Sequence, residues 1–126
     1  MRDAKSQDHV DGLGLNDLIK ITCDAPDASG APHLYVLTIQ GPDGVDVEVG
    51  RLQFQKGPRL DPASTPGLTE AAVMTVLMDR LRGFQEGPFK CRENALTLTK
   101  LEEAHLWSGA RARERHRRGV LGKNEK

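Results

Sequence analysis

Pro88 is the only proline in the chain after Pro66. That spacing constrains the fold more than any other feature, because the backbone on either side of Pro88 is free to run as helix. Thr69 offers an N-cap, and Glu70 sits where a negative charge favours the first turn. Val73, Met74, Leu77, Met78, Leu81 and Phe84 follow at i, i+3, i+4 spacing and predict a helix with one buried stripe. Gly83 and Gly87-Pro88 are expected to end it. A second helix is expected from about Arg92 to Arg118, with Ala95, Leu98, Leu101, Ala104 and Trp107 facing inward and Gly119 as its C-cap. Two helices joined by a short loop form an antiparallel hairpin.

Upstream of the hairpin the signals change. Leu15 to Asp24 and His33 to Gln40 are rich in β-branched and apolar residues and are bounded by Pro, Gly, Asp and Ser, as strands are. Gly41-Pro42-Asp43-Gly44 reads as a turn, after which Val45, Val47 and Val49, then Leu52 and Phe54, alternate with period two. The expected fold class is therefore α+β: a small N-terminal antiparallel sheet followed by a long two-helix hairpin that oligomerises. Residues 1–12 are polar and aperiodic and read as a flexible tail. Residues 13–66 hold the sheet and a connection carrying Pro58, Pro62 and Pro66. The hairpin spans 67–119, and 120–126 form a C-terminal tail. Phe-Gln-X-Gly-Pro occurs at both 54–58 and 84–88 with unrelated flanks, which reads as turn chemistry or chance rather than a repeat architecture.

A chain of 126 residues has room for one domain, or one small domain with an appendage, and not for separate cofactor and substrate modules. With 37% apolar and 4% aromatic residues its core is thin, so self-association is expected. Cys23 and Cys91 are too few for a disulfide framework or a four-cysteine zinc site, no apolar h-region opens the chain, and no apolar run could span a bilayer. The chain reads as soluble and intracellular. His9, His33, His105 and His116 show no metal-ligand spacing. Neither a nucleophile elbow nor a Walker or Rossmann glycine pattern occurs. Glu102 and Glu103 are neighbours that point about 100° apart on a helix, a poor acid/base pair. No enzyme, metal or cofactor is expected.

The formal net charge of zero conceals a division. Residues 1–50 hold three basic side chains against nine acidic ones, and residues 51–126 hold fifteen against nine. Five of the arginines lie within Arg111 to Arg118. Arg111, Arg115 and Arg118, at i, i+4 and i+7, share a stripe whose guanidinium forks suit neighbouring phosphates. Such a stripe fits nucleotide phosphates, a nucleic-acid backbone, or a solvated helix end stabilised by its dipole. Phe84 and Phe89 flank the interhelical turn, where an exposed ring can stack on a base. Asn94, near the start of the second helix, offers a donor and an acceptor. On a helix rising about 1.5 Å per residue, Asn94 and Arg111 lie about 26 Å apart, so a pocket holding ring, amide and guanidinium groups requires two chains.

The segment from Leu68 to Gln85, then Gly87-Pro88-Phe89, Glu93-Asn94-Ala95-Leu96 and Leu101-Glu102-Glu103-Ala104, with Trp107, Arg111, Arg115 and Arg118-Gly119-Val120, resembles the helical-hairpin domain of phage anti-Thoeris and anti-CBASS signal sponges. Leu52-Gln-Phe54-Gln55-Lys-Gly57-Pro58 resembles the strand and turn leading into the hairpin of the anti-Thoeris branch. The likeness covers about residues 52 to 122. It implies a non-enzymatic protein that sequesters cyclic nucleotide signals in the host bacterial cytoplasm, with no membrane, DNA or RNA partner. It further implies a hexamer binding cyclic ADP-ribose isomers with a ribose-to-ribose bond between protomers, and cyclic dinucleotides in the same anionic pocket. By the resemblance Phe84 stacks on adenine, Asn94 hydrogen-bonds the ligand, and Arg111 and Arg115 hold the pyrophosphate. A separate site for cyclic trinucleotides would draw on Arg118 and Lys123. There the chain departs from the family, with Leu121 and Lys123 in place of an acidic residue and a threonine, Ala112 in place of a threonine, and Ser108-Gly109 in place of a leucine and a helix former. The alternative is a nucleic-acid-binding module, or a purely structural oligomerisation module, using the arginine-rich helix.

Overall fold

A computed structural model describes residues 1–123 and 125–126. The chain divides into two compact units, Met1–Phe54 and Gln55–Lys126. The first is a four-stranded antiparallel sheet in the order β1 (Arg2–Asp3), β2 (Ile19–Cys23), β3 (Leu34–Gln40), β4 (Asp46–Gln53). The second contains α1 (Glu70–Gln85) and α2 (Arg92–Arg117). The α+β class expected from the sequence is the one observed.

In the sheet, β4 is a single strand across the expected alternating segments, and a bulge at Leu37/Thr38 absorbs the change of register between them. β2 starts later than Leu15 because Asn16–Leu18 form a 3-10 turn. The Asp17 carboxylate there accepts from the backbone N–H groups of Asp11, Gly12 and Gly14 at 3.0, 2.9 and 3.0 Å. These bonds, Gly12's foremost, hold the Asp17 carboxyl below its ordinary range. Residues 1–12, read from the sequence as a flexible tail, supply β1, and the side chains of Gln7 and His9 reach the β2 carbonyls of Ile21 and Ile19. Backbone pairing of this kind leaves no period in the side chains, which is why the segment reads as a tail. Cys23 and Val36 are the buried apolar residues of this unit.

The proline-bearing connection belongs to the helical unit and is ordered by its own backbone. Gln55 N–H donates to Leu68 O at 3.1 Å, Lys56 and Thr65 form a β-bridge, and Leu60 N–H donates to Gly122 O at 3.4 Å. Gly57 lies at φ +87°, and a Cβ there would clash with Ser64 Oγ, so both turn and packing favour glycine. The tail expected over 120–126 is tied back as well, through Gly122 and through Val120 N–H to Arg115 O at 3.0 Å; Asn124 lies outside the described residues.

The helices form the expected hairpin, and Thr69 caps α1 by accepting from Ala72 N–H at 3.1 Å. Gly83 does not end α1; the helix runs through it to Gln85, because one glycine costs about 1 kcal/mol and cannot outweigh the turns around it. The seam differs from the one expected. Met78 is buried, and from Asn94 to Ser108 the less exposed positions of α2 are Asn94, Leu98, Leu101, His105 and Ser108. That stripe keeps a 3.6-residue period but is partly polar, so Ala95 and Ala104 lie outside it and Trp107 is 78% exposed. Arg82 Nη2 and Glu102 Oε2, 3.4 Å apart, join the helices across the seam. The C-cap is Arg118 rather than the expected Gly119, which follows it at φ +76°.

Candidate functional site

At the turn end of the hairpin, Phe84 is the penultimate residue of α1 and Asn94 lies in the first turn of α2. Both are half-buried. The guanidinium carbon of Arg80 stands 4.9 Å from the centroid of the Phe84 ring, a cation–π contact that i, i+4 spacing on one helix makes available. Asn94 does not cap α2. That part is taken by Cys91, whose Sγ accepts from Asn94 N–H at 3.4 Å. The carboxamide of Asn94 has no hydrogen-bond partner among the described residues, so its donor and acceptor remain available. Phe89, at the tip of the turn, is 72% exposed.

The turn is closed by Gln85. Its Nε2 donates to Cys91 O and its Oε1 accepts from Cys91 N–H, both at 3.1 Å. Gln55, the equivalent glutamine of the other Phe-Gln-X-Gly-Pro segment, divides its amide between two residues: Oε1 accepts from Gly67 N–H at 3.2 Å and Nε2 donates to Gly57 O at 3.3 Å. Sequence reading missed Arg80, Gln85 and Cys91, although the i, i+4 spacing of Arg80 and Phe84 and the repetition of Phe-Gln were visible signals.

At the other end of α2, the arginine stripe is divided among different roles. Arg111 is exposed and forms no ion pair or hydrogen bond among the described residues, and the same is true of Arg113 and Arg117. Arg115 is half-buried, and its Nη2 donates to the carbonyls of Val120 and Lys123, each at 3.1 Å. Those bonds use one nitrogen of the fork and leave Nε and Nη1 for an anion. Arg118 is engaged by the Glu114 carboxylate and by Lys126 O. No contact joins Arg118 to the Lys123 side chain among the described residues.

The structure therefore brings Phe84 and Asn94 to one end of the hairpin and Arg111 and Arg115 to the other. α2 is unbroken between Asn94 and Arg111, so the separation of about 26 Å applies. Of the four residues singled out from the sequence, the ring and the amide stand at one end and the two guanidinium groups at the other, while Arg80 is the guanidinium beside the ring. Among the described residues, no cluster of His, Cys, Asp and Glu could hold a metal ion, and no helix is long and apolar enough to cross a membrane.

The outer face of α2 is also apolar. Leu106 and Trp107 are 65% and 78% exposed, and with Glu103, Ala110 and Arg113 they line a shallow depression of about 390 Å³. A tryptophan this open on a helix surface is costly to leave in water, and its face suits contact with another protein surface.

The sequence matches the family described as Acb2/Tad1, hairpin domain, over residues 49–113. It is 34% identical over 116 residues to Thoeris anti-defense 1 of Bacillus phage SBSphiJ7, an alignment covering 76% of this chain and 81% of the relative. Phe84, Asn94 and Arg111 fall within the matched hairpin, and Arg115 lies just beyond it.

Proposed function

Because the chain belongs to the Acb2/Tad1 hairpin family, we propose that it counters Thoeris defence by sequestering the cyclic nucleotide that carries the immune signal, without turning it over. The ligand class is a cyclic ADP-ribose isomer with a ribose-to-ribose bond. Cyclic dinucleotides share the same pocket, which would extend the action to CBASS. The protein acts in the host bacterial cytoplasm as a homo-oligomer, six protomers being the number the family resemblance implies, with no nucleic-acid or membrane partner.

The observation that carries this reading is the division of one nucleotide-binding set between the two ends of an unbroken helix. Antiparallel packing of neighbouring hairpins places the Phe84 ring and Asn94 carboxamide of one protomer beside Arg111 and Arg115 of the next. The ring stacks on adenine, the carboxamide reads its edge or the ribose, and the two forks grip the pyrophosphate. Such a pocket binds an anion firmly and holds no poised acid or base to cleave it. Cyclic trinucleotides, if taken, use Arg118 and Lys123 at a separate site, where Glu114 competes for Arg118.

The test is a thermal shift on adding the cyclic ADP-ribose isomer, followed by denaturation and recovery of the ligand. A raised melting temperature with intact ligand is the expected result. Hydrolysed ligand would make the protein an enzyme, and an unchanged melting temperature would remove the ligand class. Replacing Arg111 by Ala should cost about 1.5 to 3 kcal/mol of ligand affinity, the range for a charged hydrogen bond, while assembly persists.

A further inference from the structure

We propose that Gln85 is a positioning residue for this site, fixing the Phe84 ring relative to the Asn94 carboxamide before the ligand arrives; the role rests on the reading of those two residues as ligand contacts. Phe84 and Asn94 belong to different helices, and the chain between those helices contains Gly87, whose backbone is the least restricted of any residue. The hydrogen bonds of the turn itself are local: Glu86 N–H to Arg82 O, Gly87 N–H to Phe84 O, and Lys90 N–H to Gly87 O. None of these reaches from the end of α1 to the start of α2.

Gln85 does reach across. It is the last residue of α1, adjacent to Phe84, and its amide grips Cys91 from both sides, at 3.1 Å to the N–H and 3.1 Å to the carbonyl. A reciprocal pair of bonds fixes direction as well as distance, as a rung of an antiparallel ladder does. Cys91 transmits the constraint, since its Sγ holds Asn94 N–H. The route from ring to carboxamide thus runs through the Gln85–Cys91 and Cys91–Asn94 bonds and bypasses the flexible turn. A site preset in this way avoids the ordering cost on binding that a loose turn would impose.

The test is calorimetric titration of the full chain with the cyclic ADP-ribose isomer, using Gln85→Met, which keeps the length and removes both bonds. With two bonds of ordinary strength lost, affinity should fall about tenfold. A role confined to fold stability is separated by coupling. Gln85→Met should cost the same factor in an Arg111→Ala background, but no more than about twofold in an Asn94→Ala background, where the relative placement of ring and amide no longer matters. Gln85→Glu, which can still accept from Cys91 N–H, should lose less than Gln85→Met and serves where the Met variant folds poorly. Unchanged affinity in both variants overturns the proposal, as does an equal loss in the Asn94→Ala background. If the unsubstituted chain binds no cyclic ADP-ribose isomer, the functional reading itself fails and this role falls with it, an outcome visible before any substitution is made.

Discussion

Two defective variants of this protein should repair one another. Asn94→Ala removes the amide at the turn end, and Arg111→Ala removes a cation at the other end. Neither side chain has a hydrogen bond or ion pair among the described residues, so both variants should fold and assemble. Each alone should weaken binding of the cyclic ADP-ribose isomer, the Arg111 variant by about tenfold to a hundredfold, as expected for a lost charged hydrogen bond. Their effect in mixture follows from α2 being continuous: seventeen residues of helix hold the two positions about 26 Å apart, too far for one small ligand to touch both in one chain. If a site takes Asn94 from one protomer and Arg111 from its neighbour, random co-assembly of equal amounts leaves about one quarter of the sites with both groups intact. A site contained in one chain leaves none, because every chain carries one lesion. The assay is titration calorimetry on variants unfolded together and refolded as a mixture, with variants refolded apart as the control. Full-affinity binding with a stoichiometry near a quarter of the unsubstituted protein is expected in the mixture alone. Its absence from co-refolded material that demonstrably assembles would refute the two-chain geometry.

Other consequences are open to simpler measurements. Gly83 is interior to α1 and an added Cβ would meet nothing within 4 Å, so Gly83→Ala should stabilise the hairpin by about 1 kcal/mol. Thermal denaturation followed by circular dichroism should show a rise of about 4 to 8 °C, and a fall would mean that this face is covered in the assembly. Arg115→Ala removes both bonds to the Val120 and Lys123 carbonyls and should cost the hairpin about 1 kcal/mol after allowance for solvent, whereas Arg111→Ala should leave the melting temperature unchanged. In the sheet unit, the Ser29 hydroxyl, then the Ser29 N–H, then His33 lower the Asp27 carboxyl from its ordinary 3.8 to about 2. Its folded pKa lies below the unfolded one, so the loop's contribution to stability is complete above the unfolded value and is lost as pH falls toward 2. An Asp27 carboxyl titrating in NMR at its ordinary value would refute this.

What the sequence disclosed follows from how each feature is encoded. The hairpin was legible because capping at Thr69, the apolar period of α1 and the glycine after Arg118 agree with one another. The inner stripe of α2 was not, because Asn94, His105 and Ser108 lie on a face where apolar residues were sought, while Leu106 and Trp107 point outward. A thin hairpin with apolar side chains on two faces gives periodicity alone no means of saying which of them packs against the other helix. β1 escaped notice because its pairing is made by backbone groups, and the proline-bearing connection looked unstructured because its order lies in the bonds of Gln55, Lys56 and Leu60 to residues remote in sequence. The positions of Phe84, Asn94, Arg111 and Arg115 followed from counting along helices. The partners of Arg115 did not, because they lie in a tail whose fold depends on Gly119 and Gly122 adopting positive φ.

The distribution of charge bears on why such a protein could capture a small anion and spare the host's long ones. Four of the fifteen basic residues from Arg51 onward are neutralised where they stand: Arg51 by Glu48, Arg82 by Glu102, Lys100 by Glu103 and Arg118 by Glu114. Arg111, Arg113, Arg115 and Arg117 have no carboxylate partner among the described residues, so four unpaired guanidinium groups lie within the last two turns of α2. A nucleic-acid backbone gains affinity by neutralising many phosphates along a continuous track. The carboxylates of Glu102, Glu103 and Glu114 interrupt any such track along α2, and net neutrality removes long-range attraction. On the proposed reading, a cyclic nucleotide with two phosphates needs only the forks at one helix end and a ring and amide from the next protomer. The two-chain pocket of that reading then selects a small cyclic anion by shape as well as by charge.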